Sequence, residues 1–88
     1  MLRFERHPNV AGRVVAGLAF LVTSDNRLQT LNATATRIWE AAKTPTNVDE
    51  VAALLCAEFD VSMDTARADV EECVGDLIKR SILTANAP

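Results

Sequence analysis

Along the 88 residues the apolar positions change period once, near residue 32. Before that point, β-branched and apolar residues come in short runs separated by turn chemistry, the signature of strands. The first run covers residues 10–15. The second, Leu18-Ala19-Phe20-Leu21-Val22-Thr23, is apolar on both faces and lies between Ala16-Gly17 and Ser24-Asp25-Asn26. Asn and Asp tolerate left-handed backbone angles, so Asp25-Asn26 predicts a tight hairpin into a third strand over residues 27–31. The expected product is a three-stranded antiparallel meander.

Beyond residue 32 the period is helical. Ala35, Ile38, Trp39 and Ala42 recur at i, i+3, i+4 and i+7, which predicts a helix over residues 33–43, capped by Asn32 or Thr34 and stopped by Pro45. Thr46-Asn47-Val48-Asp49 reads as a capping box for a second helix, whose apolar stripe is Val48, Val51, Ala52, Leu55 and Phe59. Ser62 is the expected N-cap of a third helix from Met63 to Lys79 or Arg80. On that helix Ala66, Val70, Cys73 and Leu77 suffice for a core, and Val74 and Ile78, flanked by Arg67 and Glu71, form a second apolar strip. Two readings of the strip stay open: cover by loops, or one wall of a groove for an apolar peptide. Ile82 and Leu83 are expected to fold back onto the core. Residues 1–83 then form one domain and residues 84–88 a flexible tail.

Composition and charge narrow the function. With 49% hydrophobic and 24% charged residues the chain can bury a core. Its net charge of −3 divides into +2 over residues 1–31 and −5 over the rest, where five basic residues face ten acidic ones. The longest apolar run, residues 14–22, is far below the roughly 20 residues of a membrane span. Charges at Arg3, Glu5 and Arg6 stand where a signal peptide is apolar, which places the chain in the cytoplasm by default. Cys56 and Cys73, 17 residues apart inside helical patterns, are read as small core residues, so no metal is expected. His7, in an N-terminal segment expected to be mobile, has no ligand or nucleophile at useful spacing. Gly12, Gly17 and Gly75 fit no phosphate-binding loop. The sequence therefore predicts no catalytic residue and no cofactor. Strands followed by three helices can build a winged helix that reads DNA, but Asp64, Asp69, Glu71, Glu72 and Asp76 outnumber Arg67, Lys79 and Arg80 on the third helix. Its charge opposes docking on phosphate.

The order of these elements, with Arg6 and Pro8 near the first strand, Leu31-Asn32-Ala33-Thr34-Ala35-Thr36-Arg37-Ile38-Trp39-Glu40, Val48-Asp49-Glu50-Val51, Phe59-Asp60-Val61 and Asp69-Val70 through Leu77, resembles the PqqD-like proteins. These are small peptide chaperones, also called recognition elements of ribosomally made, modified peptides. The resemblance implies an α+β fold of winged helix-turn-helix type, with a three-stranded sheet followed by three helices. It implies a non-catalytic protein that takes the leader segment of a precursor peptide as an added strand beside the third strand and against the third helix. The peptide is then delivered to a modifying enzyme, often a radical S-adenosylmethionine enzyme. Carried over by position, the peptide-binding walls are Arg27, Leu28, Gln29 and Thr30 on one side and Arg67, Val70, Glu71, Val74 and Ile78 on the other. Leu21-Val22-Thr23-Ser24 replaces the Leu-Tyr-Pro-Glu-like strand of proteins dedicated to pyrroloquinoline quinone, so a generic PqqD-like protein is expected. The competing classes are a winged-helix DNA-binding regulator and a structural dimerisation module, and a homodimer stays open in either case.

Overall fold

The computed structural model describes residues 2–86. Its elements are β1 (Arg3–Arg6), β2 (Ala11–Val15), β3 (Leu18–Val22), β4 (Leu28–Thr30), α1 (Ala33–Ala41), α2 (Val48–Phe59), α3 (Met63–Lys79) and β5 (Leu83–Asn86). β2, β3 and β4 form the expected antiparallel meander, with Gly12 opposite Leu21 and Leu21 opposite Gln29. The β2–β3 turn is the pair Ala16 and Gly17, both at positive φ (54° and 81°). That geometry suits a two-residue hairpin because it matches the twist of the flanking strands. Asn26, at φ 65°, closes the longer turn into β4, where Thr23 N–H bonds the Arg27 carbonyl at 3.0 Å.

Each helix starts on a side-chain cap. The Asn32 side-chain oxygen accepts from Ala35 N–H at 2.8 Å, and the Ser62 hydroxyl accepts from Thr65 N–H at 3.2 Å. The cap of α2 sits one residue later than the sequence pattern indicated: Asn47 accepts from Glu50 N–H at 2.9 Å, while the Thr46 hydroxyl donates to the Glu50 carboxylate at 2.8 Å. The Asn32, Asn47 and Ser62 side chains each satisfy a first-turn N–H that has no partner inside its helix.

Two strands were not anticipated. β1 pairs antiparallel with β5, Phe4 opposite Ala85 and Arg6 opposite Leu83. Residues 84–86 thus belong to a strand and not to a tail; residues 87–88 lie outside the described residues. The alternation Leu2, Phe4, Arg6 against Arg3, Glu5 carried the signal for β1, and Phe4 is fully buried. His7 directly after β1 is half-buried; its N–H bonds the Ile82 carbonyl at 2.9 Å, so the segment is held and not loose. Phe59, placed on a core stripe by its spacing, is 42% exposed at the last position of α2. The remaining core follows the pattern: Leu21, Leu31, Ile38, Val51, Val70, Leu77, Ile82 and Leu83 are all buried between sheet and helices.

Sheet and helices are joined by a few specific contacts. The Ala19 N–H donates to the buried Thr36 hydroxyl at 2.9 Å. At Gly12 a Cβ would fall against Leu21 and 3.0 Å from the Phe20 carbonyl oxygen, with the Trp39 ring next at 3.4 Å. The Arg6 guanidinium lies 3.6 Å above the Trp39 ring, and its Nε donates to the Trp39 carbonyl at 2.9 Å.

Candidate peptide-binding edge

β3 bonds toward β4 through alternate residues: Leu31 N–H reaches the Ala19 carbonyl at 2.9 Å and Thr23 N–H the Arg27 carbonyl. In an antiparallel ladder the bonding direction alternates along each strand. Gln29, opposite Leu21, therefore turns its backbone toward β3, and Leu28 and Thr30 turn their N–H and C=O outward. Among the described residues no strand lies beyond β4. Leu28 is 72% exposed, the most exposed large apolar side chain among the described residues, and it shares the outer sheet face with Val22 and Phe20. An unpaired edge of this kind is a template for another strand.

α3 presents two different flanks to its surroundings. At about 100° per residue, Asp69, Cys73, Asp76 and Arg80 make one stripe, and Arg67, Glu71, Val74 and Ile78 make another roughly 150° away, with the core residues Ala66, Val70 and Leu77 between them. Val74, expected in the spare strip, is itself buried in the core, whereas Cys73, expected in the core, is only half-buried. The first stripe is the one that reaches β4. Arg80 donates to the Gln29 side-chain oxygen and also pairs with Asp76 at 3.2 Å. Arg27, Gln29, Lys79, Arg80 and Ser81 line one cavity of about 330 Å³ between the start of β4 and the end of α3. Burial first, then the nearby Asp76 charge, pushes the Cys73 thiol above its ordinary value.

The second stripe looks elsewhere. Arg67, Glu71, Val74 and Ile78 line a cavity of about 570 Å³ together with Leu2, Val48, Asp49 and Gly75. The Arg67 Nε pairs with Asp49 at 2.9 Å and its Nη1 lies 3.5 Å from Asp64, which raises the guanidinium's proton affinity. Val70 is fully buried and lines neither cavity.

The two walls expected from the sequence are therefore not brought together. The β4 wall of Arg27, Leu28, Gln29 and Thr30 stands as an edge, whereas Arg67, Glu71, Val74 and Ile78 face away from it. The helical residues beside β4 that sequence reasoning missed are Lys79 and Arg80, with Asp76 holding Arg80. Their regular spacing was visible on the wheel, but both flanks adjoin the core stripe equally, and only the packing of α3 decides which one meets β4.

Among the described residues, no group of three His, Cys, Asp or Glu side chains is placed to hold a metal ion, and no helix is long and apolar enough to cross a membrane. Fold and edge together define a winged-helix-like α+β domain with an open strand beside its last helix. The chain belongs to the PqqD family, described as coenzyme PQQ synthesis protein D, which it matches over residues 11–83. Among solved structures it is similar to TbiB1 in complex with the TbiA(beta) leader peptide, at 20% identity over 96% of this chain and 99% of that one, with a TM-score of 0.85. No curated protein sequence matches the chain.

Proposed function

We propose that the protein is a non-catalytic chaperone that captures the leader segment of a ribosomally made precursor peptide by strand addition to β4. It then presents that peptide to a separate modifying enzyme, of which a radical S-adenosylmethionine enzyme is the leading class, in the cytoplasm. The observation that carries the reading is the outward backbone of Leu28 and Thr30 beside the Asp76/Arg80 flank of α3. Main-chain hydrogen bonds supply affinity in this mode, and pockets for alternate side chains supply selectivity. Membership of the PqqD family and the likeness to a leader-bound structure support it.

Backbone pairing explains how a three-residue strand can serve. Leu28 and Thr30 offer two N–H and two C=O groups to an antiparallel neighbour. One face of the added strand then meets the α3 flank, and the other continues the apolar outer face of Phe20, Val22 and Leu28. The site binds and positions, and the bond chemistry belongs to the partner. The test is a calorimetric titration with the synthetic leader of a precursor encoded beside the gene. Binding to the wild type and at least tenfold weaker binding to a folded Leu28→Pro variant is the expected result. Proline removes an outward donor that no sheet bond uses, so the fold tolerates it. Equal affinity in the two proteins would place the peptide elsewhere.

A further inference from the structure

Gly75 breaks a local rule without a structural reason. It sits inside the seventeen-residue α3, where glycine is less favourable than alanine by roughly 0.5–1 kcal/mol. No close approach demands it, because a Cβ there would meet nothing within 4 Å. What its missing side chain does is open the rim of the 570 Å³ cavity on the flank of α3 that faces away from β4. Departures from local consistency that packing does not explain are expected at functional positions.

The cavity is a groove with an apolar floor and an acidic rim. Leu2, Val48, Val74 and Ile78 supply the floor. At the rim, Arg67 pairs with Asp49, and Glu71 has no ion-pair partner among the described residues. The rim thus holds one more negative charge than positive ones, carried by Glu71. From Arg67 to Ile78 the stripe follows α3 for about 16 Å, the length of three helical turns.

We infer that this groove is a second docking site, taking a short amphipathic helix of a partner protein whose apolar face enters the floor and whose Lys or Arg side chains meet Glu71 and Asp49. An apolar groove of this length beside a helix suits the helix-in-groove mode, and the acidic rim selects a basic occupant over an acidic one. Because the two stripes lie on opposite flanks of α3, a peptide on β4 and a helix in the groove bind together without competing. The site thereby offers a grip for the enzyme that uses the captured peptide, and it stands whether or not β4 takes a leader.

The probe is a fluorescein-labelled amphipathic fourteen-residue peptide of Leu, Ala and Lys, with a second peptide carrying Glu at every Lys position. Anisotropy titrations are made against the wild type, Gly75→Ala, Gly75→Leu and Glu71→Lys, with melting curves recorded for each. The Lys peptide is expected to bind the wild type and Gly75→Ala within twofold of each other, to bind Gly75→Leu and Glu71→Lys at least tenfold more weakly, and to outbind the Glu peptide. Both Gly75 variants should melt no lower than the wild type, since each improves helix propensity in open space. Undiminished binding of the Lys peptide to Gly75→Leu would overturn the proposal, as would equal binding of the two peptides. Concentration-dependent self-association that Gly75→Leu abolishes would assign the groove to a second copy of the chain and likewise overturn it.

Discussion

Ser81 stands in the left-handed region at φ 58°, immediately after α3. Its N–H bonds the Ile78 carbonyl at 3.0 Å and the next N–H, of Ile82, bonds the Leu77 carbonyl at 2.9 Å. These are the paired bonds of a Schellman motif, and the buried Leu77 and Ile82 supply its hydrophobic contact. A side chain at that backbone angle is strained and glycine is not. Ser81→Gly should therefore raise stability by about 0.5–1 kcal/mol in urea unfolding. Thr36 has the opposite sensitivity. It is fully buried, takes the Ala19 N–H and donates to the Leu31 carbonyl at 3.4 Å, continuing the β3 ladder where the chain leaves β4 for α1. Thr36→Val keeps the shape but orphans a buried donor, so unfolding should show a loss of about 1–3 kcal/mol. The helical stripe around Ala35 and Ile38 was plain in the sequence. The role of Thr36 was not, because its partner is a backbone group 17 residues away.

At the scale of elements, strand and helix positions were largely legible from periodicity, caps and turn residues. Asn32, Ser62 and the Ala16-Gly17 pair each announce a boundary by local chemistry. Pairings between distant segments were less so: β5 has only four residues and gains its meaning from β1 at the other end of the chain. The same limit applied to the site. β4 could be read as an edge from the meander alone, while the flank of α3 facing it depends on how the helix is rolled onto the sheet. That roll matters for the DNA alternative too. In a winged helix α3 would enter the major groove, yet its exposed positions carry Asp64, Asp69, Glu71, Glu72 and Asp76, and Arg67 and Arg80 are already ion-paired. Gel-shift assays at low salt, where phosphate attraction is strongest, should show no retardation of duplex DNA. Retardation that fades as salt rises would restore that alternative.

At the largest scale, the pairing of β1 with β5 closes a small core. β1 and β5 bring residues 3–6 and 83–86 together, and Phe4 plugs the result, bonding through its backbone to Thr46 in both directions at 2.9 Å. Domains of this size hold a net stability of only about 5–15 kcal/mol. Phe4→Ala empties a fully buried site and should cost about 3–5 kcal/mol, enough to shift the thermal midpoint by well over ten degrees. Closing the ends in this way leaves the β2–β3–β4 sheet with its β4 edge open and α3 with two usable flanks. Both surfaces have a proposed use, the β4 edge for a peptide and the outer flank of α3 for a partner.

Strand addition makes a demand on particular backbone atoms that no other mode of binding shares. Hydrogen exchange of ¹⁵N-labelled protein, followed residue by residue by NMR with and without saturating leader peptide, reads those atoms. Exchange at the Leu28 and Thr30 amides should slow by at least tenfold on binding, while the amides of Gln29 and of the strand interior, already bonded in the free protein, change little. Saturation of the protein by the peptide with Leu28 and Thr30 exchanging as fast as before would contradict capture at β4.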